Sequence, residues 1–322
     1  MTHNPFTQPL ANTRSELPAC ERFEATSHLW SQPELDALAL AVAARRPLLV
    51  RGEPGSGKSQ LARAAAKLLE AQAPLVQVIH PRFEPRDLLY RYDTIRRLAD
   101  ANTPKGLKGD QDYVHHGVLW RAWESAAKGP VVVLIDEIDK GDADVPNSLL
   151  EILGQRSFQV DEAQDMSTPK LAAHAMPLVV ITTNEERELP AAFVRRCVVL
   201  NLNPPKGEKE LKDWLLQRVQ AHQSLAASLH PDVLNRAIDQ VLADRGDAER
   251  EGQPRVGLAE TLDLLTALGE VTKTFTGPER ATKQHEWLDR LSAYALVKHA
   301  GVDPGQRRPP VPMKQAEDAS AG

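Results

Sequence analysis

The residue pattern with the clearest chemistry is a glycine-rich loop that ends in a lysine and a serine. Its members are Gly52, Glu53, Pro54, Gly55, Ser56, Gly57, Lys58 and Ser59. They match the Gly-x4-Gly-Lys-Ser phosphate-loop pattern, in which curled backbone N–H groups and the N-terminus of the next helix face phosphate oxygens. We expect Lys58 to reach the β- and γ-phosphates and Ser59 to place its hydroxyl on Mg²⁺. The loop therefore predicts ATP binding.

A pair of carboxylates, Asp136 and Glu137, directly follows the apolar run Val131–Ile135. The centre of a sheet disfavours charge, but side chains at the carboxyl end of a parallel strand emerge into the crevice where ligands bind. We expect Asp136 to hold Mg²⁺ through water and Glu137 to polarise the attacking water as a general base. Asp139, two residues further on, is interpreted as structural.

A third polar group, Asn184, ends the apolar run Leu178–Thr183. An asparagine after a strand is most often a turn residue. In a parallel sheet, however, this strand would end beside the strand that carries Asp136. Its carboxamide is therefore a candidate to hydrogen-bond the attacking water or the γ-phosphate.

Three arginines complete the set of candidates. Arg195 and Arg196 are adjacent and precede another apolar run, and either could be an arginine finger that acts in trans on the γ-phosphate of a neighbouring subunit. The alternative is a solvated surface. Arg255 follows Pro254 and is expected to open a helix, where it could report the state of the phosphates, although a surface arginine at a helix start is an equal alternative.

Short apolar runs alternate with helical patterns over roughly residues 30–204. With little polar alternation, such runs are typical of strands covered on both faces, and they predict a central parallel five-stranded sheet in an αβα core. Combined with the phosphate loop, this pattern resembles a P-loop NTPase core. The predicted strands are Leu48–Val50, Leu75–Ile79, Val131–Ile135, Leu178–Thr182 and Val198–Leu202. A helix is predicted over Ser59–Gln72, directly after the phosphate loop.

The strand pattern stops after Asn203, and amphipathic helices follow. We therefore expect an α/β nucleotide-binding core over 23–204 and a small all-helical lid domain with an extra C-terminal helix over 205–300. The stretch Asp244–Gln253 is predicted to be a loop. Residues 1–22 are expected to be a loose arm, and 301–322, rich in proline, a disordered tail.

Composition narrows the class of protein. The net charge is −5, which gives no support for generic nucleic-acid binding but leaves a local basic pore or patch open. Two distant cysteines, Cys20 and Cys197, imply no disulfide framework. No apolar stretch approaches the ~18–20 residues needed to span a bilayer, and the N-terminus has no secretory pattern. The sequence is thus expected to belong to a cytoplasmic protein without membrane association.

Together these motifs resemble the AAA+ ATPases, and within them the MoxR-like branch, over residues from about 23 to about 270. The stretches that carry the resemblance are HLWSQPELDALALAVAARRPLLVRGEPGSGKSQLARAAA, VVVLIDEIDKGDADVPNSLLEIL, VVITTNEERELPAAFVRRC and QPRVGLAETLDLL. The resemblance implies that Lys58 and Ser59 are the Walker A pair and that Asp136 and Glu137 are Walker B. It likewise implies that Asn184 is sensor 1, Arg196 the arginine finger and Arg255 the sensor 2 arginine.

Members of this family assemble as rings, commonly hexamers, and use ATP to remodel protein partners or metal-cofactor sites. They often work with a partner that carries a von Willebrand A domain. In the family, an acidic residue usually precedes the finger arginine. This sequence has Arg195 at that position instead. The finger is therefore Arg196 or Arg195. Segments 93–116 and 155–175 lie where the family has a helix-2 insertion and a hairpin, and ordinary surface loops are the alternative for each.

Three functions are consistent with these residues. The first is a ring-forming, chaperone-like ATPase that acts on a partner protein, and the presence of Glu137 and Asn184 favours it. The second is an ATP-dependent switch or scaffold with slow turnover, for example in bacterial defence or signalling. The third is a nucleic-acid motor or loader, which the acidic balance disfavours. The absence of an Asn-Lys-x-Asp tetrad and of kinase loops disfavours GTPase and kinase functions.

Overall fold

The computed structural model describes residues 5–7, 10–104, 106–172 and 175–296 of the 322-residue chain. The strands are β1 Arg14–Leu17, β2 Thr26–Leu29, β3 Leu48–Arg51, β4 Leu75–Val78, β5 Tyr90–Tyr92, β6 Val114–His116, β7 Val132–Asp136, β8 Leu178–Thr183 and β9 Val198–Asn201. The helices are α1 Gln32–Ala44, α2 Lys58–Leu68, α3 Thr94–Ala101, α4 Val118–Ala126, α5 Asp144–Gln155, α6 Ala191–Val194, α7 Glu208–Ala221, α8 Gln223–Ser228, α9 Pro231–Arg250, α10 Leu258–Val271 and α11 Gly277–Leu296.

The chain folds into two compact units. The first comprises residues 1–52 and 58–202, and the second comprises residues 53–57 and 203–322. The strands and helices α1 to α6 lie in the first unit, while α7 to α11 lie in the second. Within the described residues, no helix combines the length and apolar character needed to cross a membrane.

The first unit is built on a five-stranded sheet in the order β4-β7-β8-β3-β9, with every neighbouring pair parallel. The predicted sheet is thereby confirmed, and each of its strands lies within a residue or two of the predicted run. Because the strands are parallel, their carboxyl ends meet at one edge, where Asp136 and Thr183 are terminal residues of adjacent strands. This edge is where ligands bind in open α/β sheets.

Alternate residues of each central strand face two different apolar cores. In β7, Val133 and Ile135 pack into the core that contains α4 and α5 residues. Val132 and Leu134 pack into the core that contains α1 and α2 residues. Successive side chains of a strand point to opposite faces, so a run without polar alternation is buried on both sides, which produces the predicted αβα layering.

The N-terminal region differs from the prediction of a loose arm. Arg14–Leu17 forms β1, which pairs antiparallel with β2. The resulting hairpin is fixed to α2, because Arg63 donates from Nη2 to the carbonyls of Pro18 and Glu24 at 2.8 and 2.9 Å. A four-residue polar strand has little apolar periodicity of its own, which explains why the sequence does not reveal it.

Over its described residues from 203 to 296, the second unit contains helices and no strand. It has its own apolar core, contributed by α7, α9, α10 and α11 among others. Two local predictions are wrong. Asp244–Gln253 is not a loop for most of its length, because α9 continues to Arg250. Its last turns bury Asp244, Arg245 and Ala248, so tertiary packing outweighs the charged composition of this stretch. The second concerns Arg255 and is described with the site below. The predicted tail and the end of the predicted last helix, 297–322, lie outside the described residues.

The two segments that the sequence leaves without an assigned role, 93–116 and 155–175, have different structures. Segment 93–116 holds α3 and strand β6, and β6 pairs antiparallel with β5. No residue of α3 is buried. Residues 156–172 contain no strand, so the predicted hairpin is absent from the described part of this segment. They nevertheless insert Val160, Ala163 and Leu171 into the first unit's core, and therefore do not form a simple surface loop.

Candidate functional site

The phosphate loop lies between β3 and the first turn of α2. Gly55 and Gly57 have φ values of 73° and 95°, in the region that side-chain-bearing residues rarely adopt. A Cβ on Gly55 would also approach Cβ of Ala259 to 2.9 Å. Glycine is therefore required at Gly55 both by backbone conformation and by packing. Since α2 begins at Lys58, its unpaired N–H groups follow directly on this loop.

Lys58 is held at the base of the loop. Its ammonium Nζ donates to the carbonyl oxygen of Gly52 at 2.8 Å, and the residue is only 8% exposed. Burial lowers the pKa of the Lys58 ammonium, while nearby carboxylates, first among them Asp136, oppose that shift. A buried lysine directed along the loop is suited to binding a phosphate as a compact positive charge.

Ser59 and Asp136 are in direct contact. The Ser59 hydroxyl lies 3.0 and 3.1 Å from the two carboxylate oxygens of Asp136. Packing of α2 against β7 joins these residues, which are 77 positions apart. A hydroxyl and a carboxylate are hard oxygen donors of the kind that Mg²⁺ prefers, so the two residues fit the metal that the sequence predicts.

The turn after β7 has an unusual backbone. Glu137 adopts the left-handed conformation, with φ 57° and ψ 50°, and begins a 3₁₀ turn over Ile138–Lys140. Its backbone N–H donates to the hydroxyl of Thr182 on β8 at 3.0 Å. Thr182 in turn donates to Oδ1 of Asp136. The two acidic residues of the predicted site are therefore tied to the adjacent strand.

Asn184 directly follows β8, next to the strand that ends at Asp136. The loop that follows is fixed at several points, because Thr183 accepts the N–H of Glu185 at 2.9 Å and Asp139 accepts that of Glu186 at 3.0 Å. Asp139 is 3% exposed. These contacts bring the loops after β7 and β8 together at the carboxyl edge of the sheet, where the sequence predicts Asn184.

Arg195 and Arg196 lie at the end of α6, and both are exposed. Neither guanidinium has an ion pair or hydrogen bond among the described residues. Their carbonyl oxygens, by contrast, accept from Arg46, with Nε 3.0 Å from the Arg196 oxygen and Nη2 on that of Arg195. The backbone of this turn is thus fixed while both side chains remain available to another molecule.

Arg255 does not open a helix, contrary to the prediction, because α10 begins three residues later at Leu258. The Glu260 carboxylate accepts the N–H of Gly257 at 2.9 Å, which places the start of the helix there. Within the second unit, Nε of Arg255 lies 3.7 Å from Glu53, and Nη1 lies 3.3 Å from Glu249. Arg255 is therefore beside Glu53, a residue of the phosphate loop that belongs to the same unit.

Three further residues of this region are not among the sequence candidates. Thr182 bridges the acidic pair, Arg46 holds the turn with the two arginines, and Arg245 donates to Glu53 at 3.0 Å. Arg245 is 8% exposed and also donates to the Val256 carbonyl. A buried arginine in a charged stretch has no sequence signal, whereas a threonine near the end of the strand that precedes Asn184 is a signal that could have been used.

A parallel αβα sheet with a glycine-rich loop before α2, joined to a C-terminal helical unit, defines a P-loop NTPase core with a helical lid. The chain belongs to the AAA family: the model of the AAA domain (dynein-related subfamily) matches residues 47–219, more than half of the chain. The predicted membership of the AAA+ ATPases is confirmed, and nucleotide binding is a property of that family.

Many solved structures are similar to this chain, among them the following two. A proposed ATPase from Cytophaga hutchinsonii is 17% identical, with an alignment that covers 78% of each chain and a TM-score of 0.35. The AAA domain of FIGL-1 in complex with ADP is 15% identical, with an alignment that covers 82% of this chain and 68% of that chain and a TM-score of 0.38. No curated protein matches this chain significantly.

Proposed function

We propose that this protein is a MoxR-like AAA+ ATPase that binds and hydrolyses ATP in a ring-shaped oligomer to remodel or activate a partner protein. The observation that carries the proposal is the contact of Ser59 with Asp136 at 3.0 Å. That contact joins the helix of the phosphate loop to the acidic end of β7, where a nucleotide's terminal phosphates and a metal ion would meet.

The phosphate loop would bind the nucleotide through its backbone N–H groups and Lys58. Lys58, buried and adjacent to Gly52, would exchange its carbonyl contact for the β- and γ-phosphates. Ser59 and Asp136 would hold Mg²⁺, whose charge, when bound, neutralises that developing on the phosphates. The remaining loop residues, among them Glu53, Pro54 and Ser56, would surround the phosphates.

Glu137 would act as the general base that orients and polarises water, and Asn184 would hydrogen-bond that water or the γ-phosphate. The proximity of the loops after β7 and β8 supports this division, because Asp139 accepts from Glu186 at 3.0 Å across them. Arg255, 3.7 Å from Glu53 of the loop, would respond to the phosphates as the sensor 2 arginine.

The proposed assembly is supported by the arginines at the end of α6. Arg196, or its neighbour Arg195, would reach the γ-phosphate of an adjacent subunit, and their exposure supports contact with another chain. The proposed oligomer is a hexameric ring in the cytoplasm that acts on a protein client, one with a von Willebrand A domain among the candidates. The proposed domains are 23–204 and 205–300, and a change from strands to helices near residue 203 supports that division.

Glu137→Gln tests hydrolysis, and Lys58→Ala tests binding. We expect E137Q to bind ATP as the parent does while its turnover falls at least about 100-fold, since a positioned general base contributes on that order. K58A should lose ATP affinity. Phosphate release measures turnover, and titration with a fluorescent ATP analogue measures affinity.

Three results would contradict the proposed function or favour one of its alternatives. Unchanged turnover in E137Q would remove Glu137 as the base. Tight ATP binding by the parent without measurable phosphate release would instead support a nucleotide-dependent switch. Strong stimulation of turnover by nucleic acid would support a motor or loader.

A further inference from the structure

Thr182 has a buried hydroxyl that both accepts and donates beside the acidic pair. The residue is 1% exposed and is the penultimate residue of β8. Its Oγ1 accepts the backbone N–H of Glu137 at 3.0 Å and donates to Oδ1 of Asp136. One side-chain oxygen therefore contacts both residues to which the proposed function assigns metal binding and general-base catalysis.

The backbone of Glu137 requires such a contact. Its φ of 57° places a residue with a full side chain in the left-handed region, which costs energy unless the surroundings hold it. The N–H of Glu137 is directed to Thr182, which sets the turn from which the Glu137 side chain departs. A rotation of this backbone would move the carboxylate away from any water placed by the rest of the site.

Thr183, the next residue of β8, makes a corresponding hydrogen bond to the loop that contains Asn184. Glu185 is also left-handed, with φ 60°, and its N–H donates to Thr183 Oγ1 at 2.9 Å. Two successive threonines of one strand thus fix two successive loops through left-handed glutamates. Thr182 contacts both residues of the acidic pair, whereas among the described residues the Thr183 hydroxyl has a hydrogen bond with neither of them.

We propose that Thr182 is a positioning residue that sets the orientation of Glu137 and Asp136 for hydrolysis. The inference rests on the proposed function, because it assigns Thr182 an effect through Glu137 as base. It predicts an effect on turnover out of proportion to any effect on folding or nucleotide affinity.

Thr182→Val keeps the shape of the side chain but removes its hydroxyl. We expect its kcat to fall about tenfold, the equivalent of one net hydrogen bond, while its ATP affinity without Mg²⁺ stays at the parent value. Thr182→Ser restores the hydroxyl and should recover most of the turnover. Phosphate release and titration with a fluorescent ATP analogue provide the two measurements.

Thr272→Val is a matched control. Thr272 is fully buried in the second unit, and its hydroxyl also makes one donated and one accepted bond, to the Leu268 carbonyl and from Gln284. The control should lower Tm about as much as T182V without lowering kcat. Equal kcat in T182V and T272V, or no recovery in T182S, would overturn the proposal.

Comparison with E137Q separates the two proposals. If E137Q abolishes turnover but T182V does not lower it, the positioning role alone is wrong. If neither variant lowers turnover, the assignment of Glu137 as base is wrong and the role of Thr182 falls with it.

Discussion

Individual residues at this site fall into those that would meet the nucleotide and those that hold them in place. Lys58 and Ser59 belong to the first group. Asp139 belongs to the second, since it is buried and its Oδ2 fixes the Glu186 N–H at 3.0 Å. Its other carboxylate oxygen has no hydrogen-bond partner in the described part of the chain, and its charge is one of those that oppose the lowering of the Lys58 pKa.

The two cysteines offer a test at the residue scale. Burial raises the pKa of the Cys197 thiol to about 11, and Cys197 is 6% exposed, whereas Cys20 is partly exposed. Since the thiolate is the nucleophile, only roughly a thousandth of Cys197 would be reactive at pH 8. We expect iodoacetamide to label Cys20 first, and the rate at Cys197 to rise about tenfold per pH unit below its pKa.

Mass spectrometry of the native protein over pH 7–9 measures both rates, and denatured protein serves as the control in which both thiols react. Labelling of Cys197 as fast as Cys20 in the native state would contradict this prediction. It would show that the beginning of β9 unfolds locally often enough to expose the Cys197 thiol.

At the scale of elements, the end of α6 depends on a residue far away in sequence. The helix ends at Val194, and the N–H groups of Arg196 and Cys197 already bind the carbonyls of its last two residues. The carbonyls of Arg195 and Arg196 lie beyond it and need partners from elsewhere. Arg46, which follows α1, donates to the carbonyls of Arg195 and Arg196. A cation at a helix C-terminus stabilises it through charge as well as hydrogen bonds.

Arg46→Ala should therefore loosen the turn that carries both finger candidates. We expect a loss of about 1 kcal/mol in the free energy of unfolding, a small value because Arg46 is exposed. Turnover should fall more than ATP affinity, since the phosphate loop is unchanged. Urea unfolding and phosphate release measure the two effects.

Arg45→Ala is the matched control, because it removes the same charge from the adjacent position. The Arg45 side chain has no hydrogen bond or ion pair among the residues that the structure describes. Equal losses in both variants would show that net charge, rather than the carbonyl contacts, is responsible.

At the scale of the whole molecule, the proposed active site needs two chains. One chain would supply the phosphate loop, Asp136 and Glu137, and its neighbour would supply Arg196 or Arg195. Because a ring brings the same two surfaces together at each interface, every site would have this composition.

A mixture of E137Q and Arg196→Ala proteins tests this arrangement. Neither alone should turn over ATP, but in a mixed ring an R196A subunit can receive Arg196 from an E137Q neighbour. With equal amounts and random assembly, about a quarter of the sites should be active. Phosphate release measures the recovery, and light scattering with ATP measures assembly.

A mixture of two inactive proteins that remains inactive, while ATP still produces oligomers, would exclude Arg196 as a finger in trans. The same mixture made with Arg195→Ala decides between the two arginines. A protein that stays monomeric with ATP would exclude the shared site altogether.

Much of the core could be predicted because its signals are local. The run Val132–Leu134 is apolar at every position, as a strand buried on both faces requires. The phosphate loop is a contiguous segment whose glycines meet backbone requirements, as the φ of 73° at Gly55 shows. Charged composition misled the prediction in α9, where burial of Arg245 outweighs local propensity.

The sequence by itself determined the five strands of the sheet, the phosphate loop and the acidic pair, since each is a run of neighbouring residues in the chain. Only the tertiary structure decided which side chains hold them. Thr182 reaches Glu137 across 45 positions, and Arg46 reaches Arg196 across 150. Such contacts depend on strand order and helix packing, which place distant residues within hydrogen-bonding distance and leave no pattern in the local sequence.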